Sequence, residues 1–215
     1  MPELCRICNT RRARRHCPGI SGDICSICCG DQREVNISCP LDCEYLREAR
    51  LHEKMIDVDP KSVPNQDIRL TEQFIQEHNE LVVFCGFTIA DAALRTAGAV
   101  DVDLQNALEA LIRTHRTLES GLVYETRADD RVAASVQELF ERSLADFQNS
   151  RSKEQGLSPY RNAELIGALV FLQRSALTHS NGRPKGRAYI DFLRERLGIE
   201  NAPQPGSVPG SVLVP

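Results

Sequence analysis

The chain has 215 residues, 41% of them hydrophobic, no tryptophan and a formal net charge of −4. That aliphatic content supports one ordinary domain plus a small module, and it excludes a chain too polar to fold or a uniformly basic nucleic-acid binder. Nine cysteines need a chemical reason, and eight of them fall between Cys5 and Cys43.

The first stretch reads Cys5-Arg-Ile-Cys8, Cys17-Pro18-Gly19, Cys25-Ser-Ile-Cys28-Cys29-Gly30 and Cys39-Pro40-Leu-Asp-Cys43. A disulfide framework needs an oxidising compartment. Met1-Pro2-Glu3-Leu4-Cys5 shows no basic segment followed by an apolar one, and the longest apolar run, Leu81 to Ala90, is too short to span a bilayer. A cytoplasmic protein without a membrane partner is therefore expected. In that setting clustered Cys-x-x-Cys pairs read as thiolate metal ligands. Eight thiolates divide into two tetrahedral sites, the closed arrangement that structural zinc adopts, so two Zn2+ ions are expected on Cys5, Cys8, Cys17, Cys25, Cys28, Cys29, Cys39 and Cys43. An iron–sulfur cluster is the alternative metal reading. A redox Cys-x-x-Cys would leave the other six cysteines without a role.

Spacing pairs Cys5 with Cys8, because a tight turn can present both sulfurs to one ion. It pairs Cys39 with Cys43, since Pro40 and Asp42 suit a helix start that sets the sulfurs about one turn apart. Through Cys5-x-x-Cys8, Cys17-Pro18 and Cys25-Ser26-x-x-Cys29, residues 5–43 resemble the HIT-type zinc finger, in which two zinc sites interleave along the chain. That family has a further cysteine two positions after the proline, where this chain has Ile20, and a later histidine where it offers only cysteines. Cys28 is extra to the pattern and can supply the missing ligand. The resemblance implies one ion on Cys5, Cys8, Cys25 and Cys28 and another on Cys17, Cys29, Cys39 and Cys43, with Cys28 and Cys29 interchangeable. His16 reads as a surface histidine, because eight cysteines already suffice.

Arg11, Arg12, Arg14 and Arg15 form a local basic cluster in a segment that is otherwise balanced, residues 1–50 carrying eight arginines against seven acids. Two readings fit: counter-charges for two four-thiolate sites of formal charge −2 each, or a surface for binding phosphates or an acidic partner.

From Leu41 to about Met55 the module runs into a helix, and Asp59-Pro60 and Val63-Pro64 then mark residues 57–67 as a linker. Residues 68–198 read as helices throughout. One spans about Glu72 to Thr96 and is apolar all round at its centre, with Cys85 as a core residue. The next starts at Asp101 as N-cap and runs to about Ser120, its stripe Leu104, Ala107, Leu108, Leu111, Ile112 and Leu118 including His115. A helix over about Ala128 to Asn149 follows. Another starts at Ser158-Pro159 and contains the second all-round apolar run, Leu165 to Leu172. The two apolar runs suggest a central antiparallel pair sheathed by the amphipathic helices. A last helix is expected over about Pro184 to Leu197, and residues 199–215 as a disordered tail. Gly182-Arg183-Pro184 resembles the core of an AT-hook, but that motif needs an arginine where this chain has Asn181.

The expected fold is thus a small zinc-stabilised, Cys-rich N-terminal module with its exit helix, residues 1–56, followed by an all-α helical bundle domain. No phosphate-binding glycine loop, nucleophile elbow or His-Glu-x-x-His occurs. The residues three before His78, His115 and His179 are Ile75, Ile112 and Ala176, so the Glu-x-x-His pattern of di-metal bundles is missing. The leading expectation is a non-enzymatic zinc-binding adaptor whose helical domain binds a protein. A nucleic-acid-associated zinc protein using Arg11 to Arg15 is the first alternative, and a thiol-based redox or zinc sensor is the second. The oligomeric state is not legible in the sequence.

Overall fold

The computed structural model describes residues 3–54 and 56–199, and among these it is mostly helical, with eight helices and one two-stranded sheet. Met55 and the expected tail from residue 200 lie outside the described residues.

The N-terminal segment opens with a hairpin: β1 (Arg15–Cys17) pairs antiparallel with β2 (Gly22–Ile24), setting Arg15 opposite Ile24 and Cys17 opposite Gly22. A bridge between Leu4 and Arg12 lays the first residues against this hairpin. Helix α1 (Ser26–Gln32) follows, and α2 (Glu44–Arg50) is shorter than the helix expected over Leu41 to Met55. Its start is later because residues 40–43 close as a turn, Cys43 N donating to Pro40 O at 3.1 Å, so that Cys43 becomes the N-cap.

Residues 57–67 contain one 3-10 turn, Pro60–Ser62, and their far end is fastened to the helices. Arg174 donates to the carbonyls of Pro64, Asn65 and Ile68, and Arg116 grips Asp67 with both terminal nitrogens.

The single helix expected over Glu72 to Thr96 is two, α3 (Glu72–Glu77) and α4 (Asn79–Arg95), broken at His78. The short α3 is anchored on its own. Thr71 caps it, and Phe74 lies so close to Gly167 that a Cβ there would sit 2.3 Å from the ring. Helix α5 (Asp101–Glu119) begins at Asp101 with Val100 as N-cap. Asp101 instead caps a distant helix, its carboxylate accepting from Tyr189 N at 3.0 Å and Ile190 N at 3.1 Å. Helix α6 (Arg131–Lys153) starts after Asp130, whose carboxylate accepts from Val132 N and Ala133 N. Helix α7 (Asn162–His179) starts three residues past the expected Ser158-Pro159, because Tyr160 N is drawn to Gln148 Oε1 instead. Residues 180–187 turn before α8 (Ala188–Arg196).

The core is built where the stripes meet. Leu81 and Ile89 of α4, Leu104, Leu108, Leu111 and Ile112 of α5, Phe140 of α6, Leu165 and Ile166 of α7, and Tyr189 of α8 are all fully buried. The most extensive packing is α5 on α7, so the two apolar runs of α4 and α7 share the centre with α5 rather than forming it alone. Among the described residues no helix is long and apolar enough to cross a membrane.

Candidate metal centre

Two tight turns build the centre. In the first, Asn9 N donates to Cys5 O at 2.8 Å, and Asn9 stands at φ +52°, a left-handed conformation that asparagine tolerates better than most residues. In the second, Cys25 is the N-cap of α1, and its Sγ accepts from Cys28 N at 3.4 Å. The strand-like pairing of Cys5 N with Arg11 O and of Arg6 N with Asp23 O brings the turns face to face. The sulfurs of Cys5, Cys8, Cys25 and Cys28 then all lie within 4.8 Å of one another. A zinc–sulfur bond of about 2.3 Å puts the sulfurs of a tetrahedral site about 3.8 Å apart, so this quartet can close on one ion with little movement. Cys5, Cys25 and Cys28 are buried and Cys8 is half-buried.

All nine cysteines are free thiols. Within the quartet their acidities diverge. Cys8 is drawn down to about 5, chiefly by the hydroxyl and backbone of Thr10, and Cys25 is lowered by the backbone amide of Cys28. Burial and its sulfur neighbours push Cys28 up to about 12. Thiols favoured and disfavoured as anions thus sit side by side around a space where a divalent cation would deprotonate them all. By contrast Cys85, inside the helical core, is pushed up to about 12 by burial alone.

Cys17, Cys29, Cys39 and Cys43 line one small, largely enclosed cavity with Arg15, Tyr45 and Leu46. Their sulfurs are not gathered as closely as those of the first quartet. Burial raises the Cys39 thiol, with Cys17 and Cys43 acting on it electrostatically.

Within the arginine run, Arg11 and Arg15 reach cysteine sulfurs. Arg11 is exposed, yet its Nη1 lies 4.0 Å from Cys25 Sγ, and the thiols around it raise its own pKa. Arg15 Nη1 lies 3.6 Å from Cys29 Sγ while its guanidinium covers the Tyr45 ring at 4.4 Å. Arg12 and Arg14 are exposed. Their side is not purely basic, since His16 pairs with Asp23 at 3.0 Å and Glu3 lines the same shallow depression as Arg14. Sequence reasoning passed over Arg33, whose Nη2 also points at Cys29 Sγ at 3.8 Å. It passed over Glu34 as well, a fully buried carboxylate. The spacing of Arg33 four residues after Cys29 on α1 was the available signal for the first; nothing local marks the second.

No family model, curated protein or solved structure matches the chain. What fold and site define together is a mostly helical protein carrying a Cys-rich N-terminal cluster able to hold a metal ion.

Proposed function

We propose that the chain is a zinc-folded, non-enzymatic interaction protein of the cytoplasm. Two structural zinc ions order the N-terminal module, and the helical unit docks a protein partner. The observation that carries this reading is the quartet of Cys5, Cys8, Cys25 and Cys28, whose four sulfurs supply every position of a tetrahedral ion. A second ion on Cys17, Cys29, Cys39 and Cys43 is supported by their shared cavity and by the two guanidinium groups aimed at Cys29. On the partner side, an open cleft between α2 and α8 carries Leu51, 83% exposed, opposite Phe192. Large apolar groups on such a surface favour a protein ligand.

Elemental analysis of protein purified without chelator should find two zinc ions per chain. One ion or none ends the two-site reading. Affinity purification from the native cell, with and without nuclease, tests the partner. Proteins retained after nuclease support the adaptor reading; capture lost with the nucleic acid transfers the role to the cluster of Arg11, Arg12, Arg14 and Arg15.

A further inference from the structure

Residues 33–36 join Cys29 to Cys39, and the turn before α8 grips them from more than 140 positions away in the chain. Arg183 Nη1 donates to Arg33 O at 2.6 Å, Lys185 N to Glu34 O at 2.8 Å, and Lys185 Nζ to Asn36 O at 2.8 Å. The Glu34 carboxylate is 0% exposed and accepts from Arg50 Nη2 at 2.9 Å, Arg187 N at 3.0 Å and Asn181 Nδ2 at 2.7 Å. Arg50 also pairs with Asp191 of α8, which holds Arg194 at 2.7 Å. Glu34 stands at φ +52°, where a side-chain-bearing residue stays only if its surroundings over-determine it.

This junction touches the two cysteine sets unequally. Arg33, whose carbonyl is held by Arg183, sends its guanidinium to Cys29 Sγ. Glu34 N donates to Ile37 O at 3.1 Å, two residues ahead of Cys39, and Arg50 lies on the helix that Cys43 caps. The hydrogen-bond partners of the Cys8, Cys25 and Cys28 sulfurs, by contrast, lie within residues 5–28.

We infer that Arg33 and Glu34 are positioning residues through which the helical unit holds Cys29 and Cys39, so that the second thiolate set depends on the helices and the first does not. This rests on the two-ion reading. The order imposed by such outer contacts is commonly worth 10–100-fold in metal retention, because they fix the ligand's orientation before the ion arrives.

The test is zinc release from the full-length, zinc-loaded chain into excess chromogenic chelator. Cys8→Ser and Cys39→Ser identify which kinetic phase belongs to which site. Glu34→Gln and, separately, Arg183→Ala should speed the Cys39-dependent phase about tenfold or more and leave the Cys8-dependent phase within about twofold. Arg183→Lys should restore part of the loss. In cobalt-substituted protein, Arg183→Ala should shift only the thiolate charge-transfer bands that Cys39→Ser removes, which general destabilisation would not do. Arg183 lies on a turn outside the helical core, so its variant decides the matter even where Glu34→Gln fails to fold. Two ions released with both phases accelerated alike, or with neither changed, overturns this inference and leaves the two-ion reading standing. A wild-type chain holding a single ion overturns both.

Discussion

The module and the helical unit solve the same problem with opposite means. Of the six buried apolar residues that centre the module, Cys5, Cys17, Cys25 and Cys28 are cysteines, and only Ile24 and Ile37 are aliphatic. The helical core is a continuous field of leucine, isoleucine, valine and alanine with Phe140, Tyr189 and one cysteine in it. Burial at roughly 25 cal/mol per Å² of apolar surface should stabilise the second unaided. It should not suffice for the first, since so small a segment hides little surface. The comparison teaches that a buried cysteine has no fixed meaning. Cys85 is buried in the apolar core and burial alone acts on its thiol, whereas Cys8 and Cys25 meet hydrogen-bond donors that favour their anions.

The sharpest way to break the comparison is to withdraw the metal. Zinc binding in modules of this size is folding free energy, roughly 10–16 kcal/mol per structural ion in model peptides at neutral pH. Chelation of the full chain should abolish amide-exchange protection in residues 3–43 while most of the helical circular dichroism survives. Cys25→Ser should lose one ion, and Cys85→Ser should leave the metal count unchanged. Zinc lost on replacing Cys85, or helices lost together with the metal, would erase the distinction between the regions.

A smaller effect approaches from the other side. Phe140 is fully buried on α6, and Phe140→Ala should cost about 3–5 kcal/mol of helical stability. Gly167→Ala forces a methyl group against the Phe74 ring and should cost about 1–3 kcal/mol by detaching α3. Thermal melts of both variants should show lowered midpoints with two zinc ions retained. Metal lost from either would mean that core and module stand or fall together.

How much of this was legible in the sequence follows from the range of the forces involved. The stripe Leu104, Ala107, Leu108, Leu111, Ile112 and Leu118 repeats at helical spacing, and the structure buries all of it except Leu118 near the helix end, which is half-buried. Cys5-x-x-Cys8 and Cys25-x-x-Cys28 are local turns, so their spacing carries their geometry. What escaped is what distant residues decide. Asp101 reads as a local N-cap, yet its carboxylate serves α8, and burial there raises it to about 6. Ahead of the break at His78, Phe74 packs against Gly167, more than ninety positions further on. Three-residue strands such as β1 and β2 are too short to show alternation, and β1 lies inside an arginine run that reads only as charge. Glu34 is the extreme case. A glutamate between Arg33 and Val35 carries no local mark of burial, and only partners supplied by Asn181, Arg187 and Arg50 make it interior.

The smallest expected effect refines the comparison through proton binding. His115 lies on the buried stripe of α5, its Nδ1 3.0 Å from Asn162 Oδ1 on α7. Burial lowers its pKa below the ordinary imidazole value, against the weaker opposing pull of Asn162 and Glu141. The folded chain therefore prefers the neutral ring and binds fewer protons than the unfolded chain below about pH 6.5. The stability this contributes is present above that pH and is lost as pH falls through the lowered folded value. His115→Gln keeps an amide partner for Asn162 but cannot titrate. At pH 7.5 the variant should be less stable by about 1 kcal/mol from imperfect replacement of the contact. From pH 7 towards pH 5 the wild type should lose stability relative to the variant, so that their urea-unfolding curves converge. Both proteins carry the same thiolates, whose own titration cancels in the difference between them. Parallel curves across that range would show that the ring takes up its proton as readily inside the bundle as in water, and that His115 is not the interior neutral group its burial makes it.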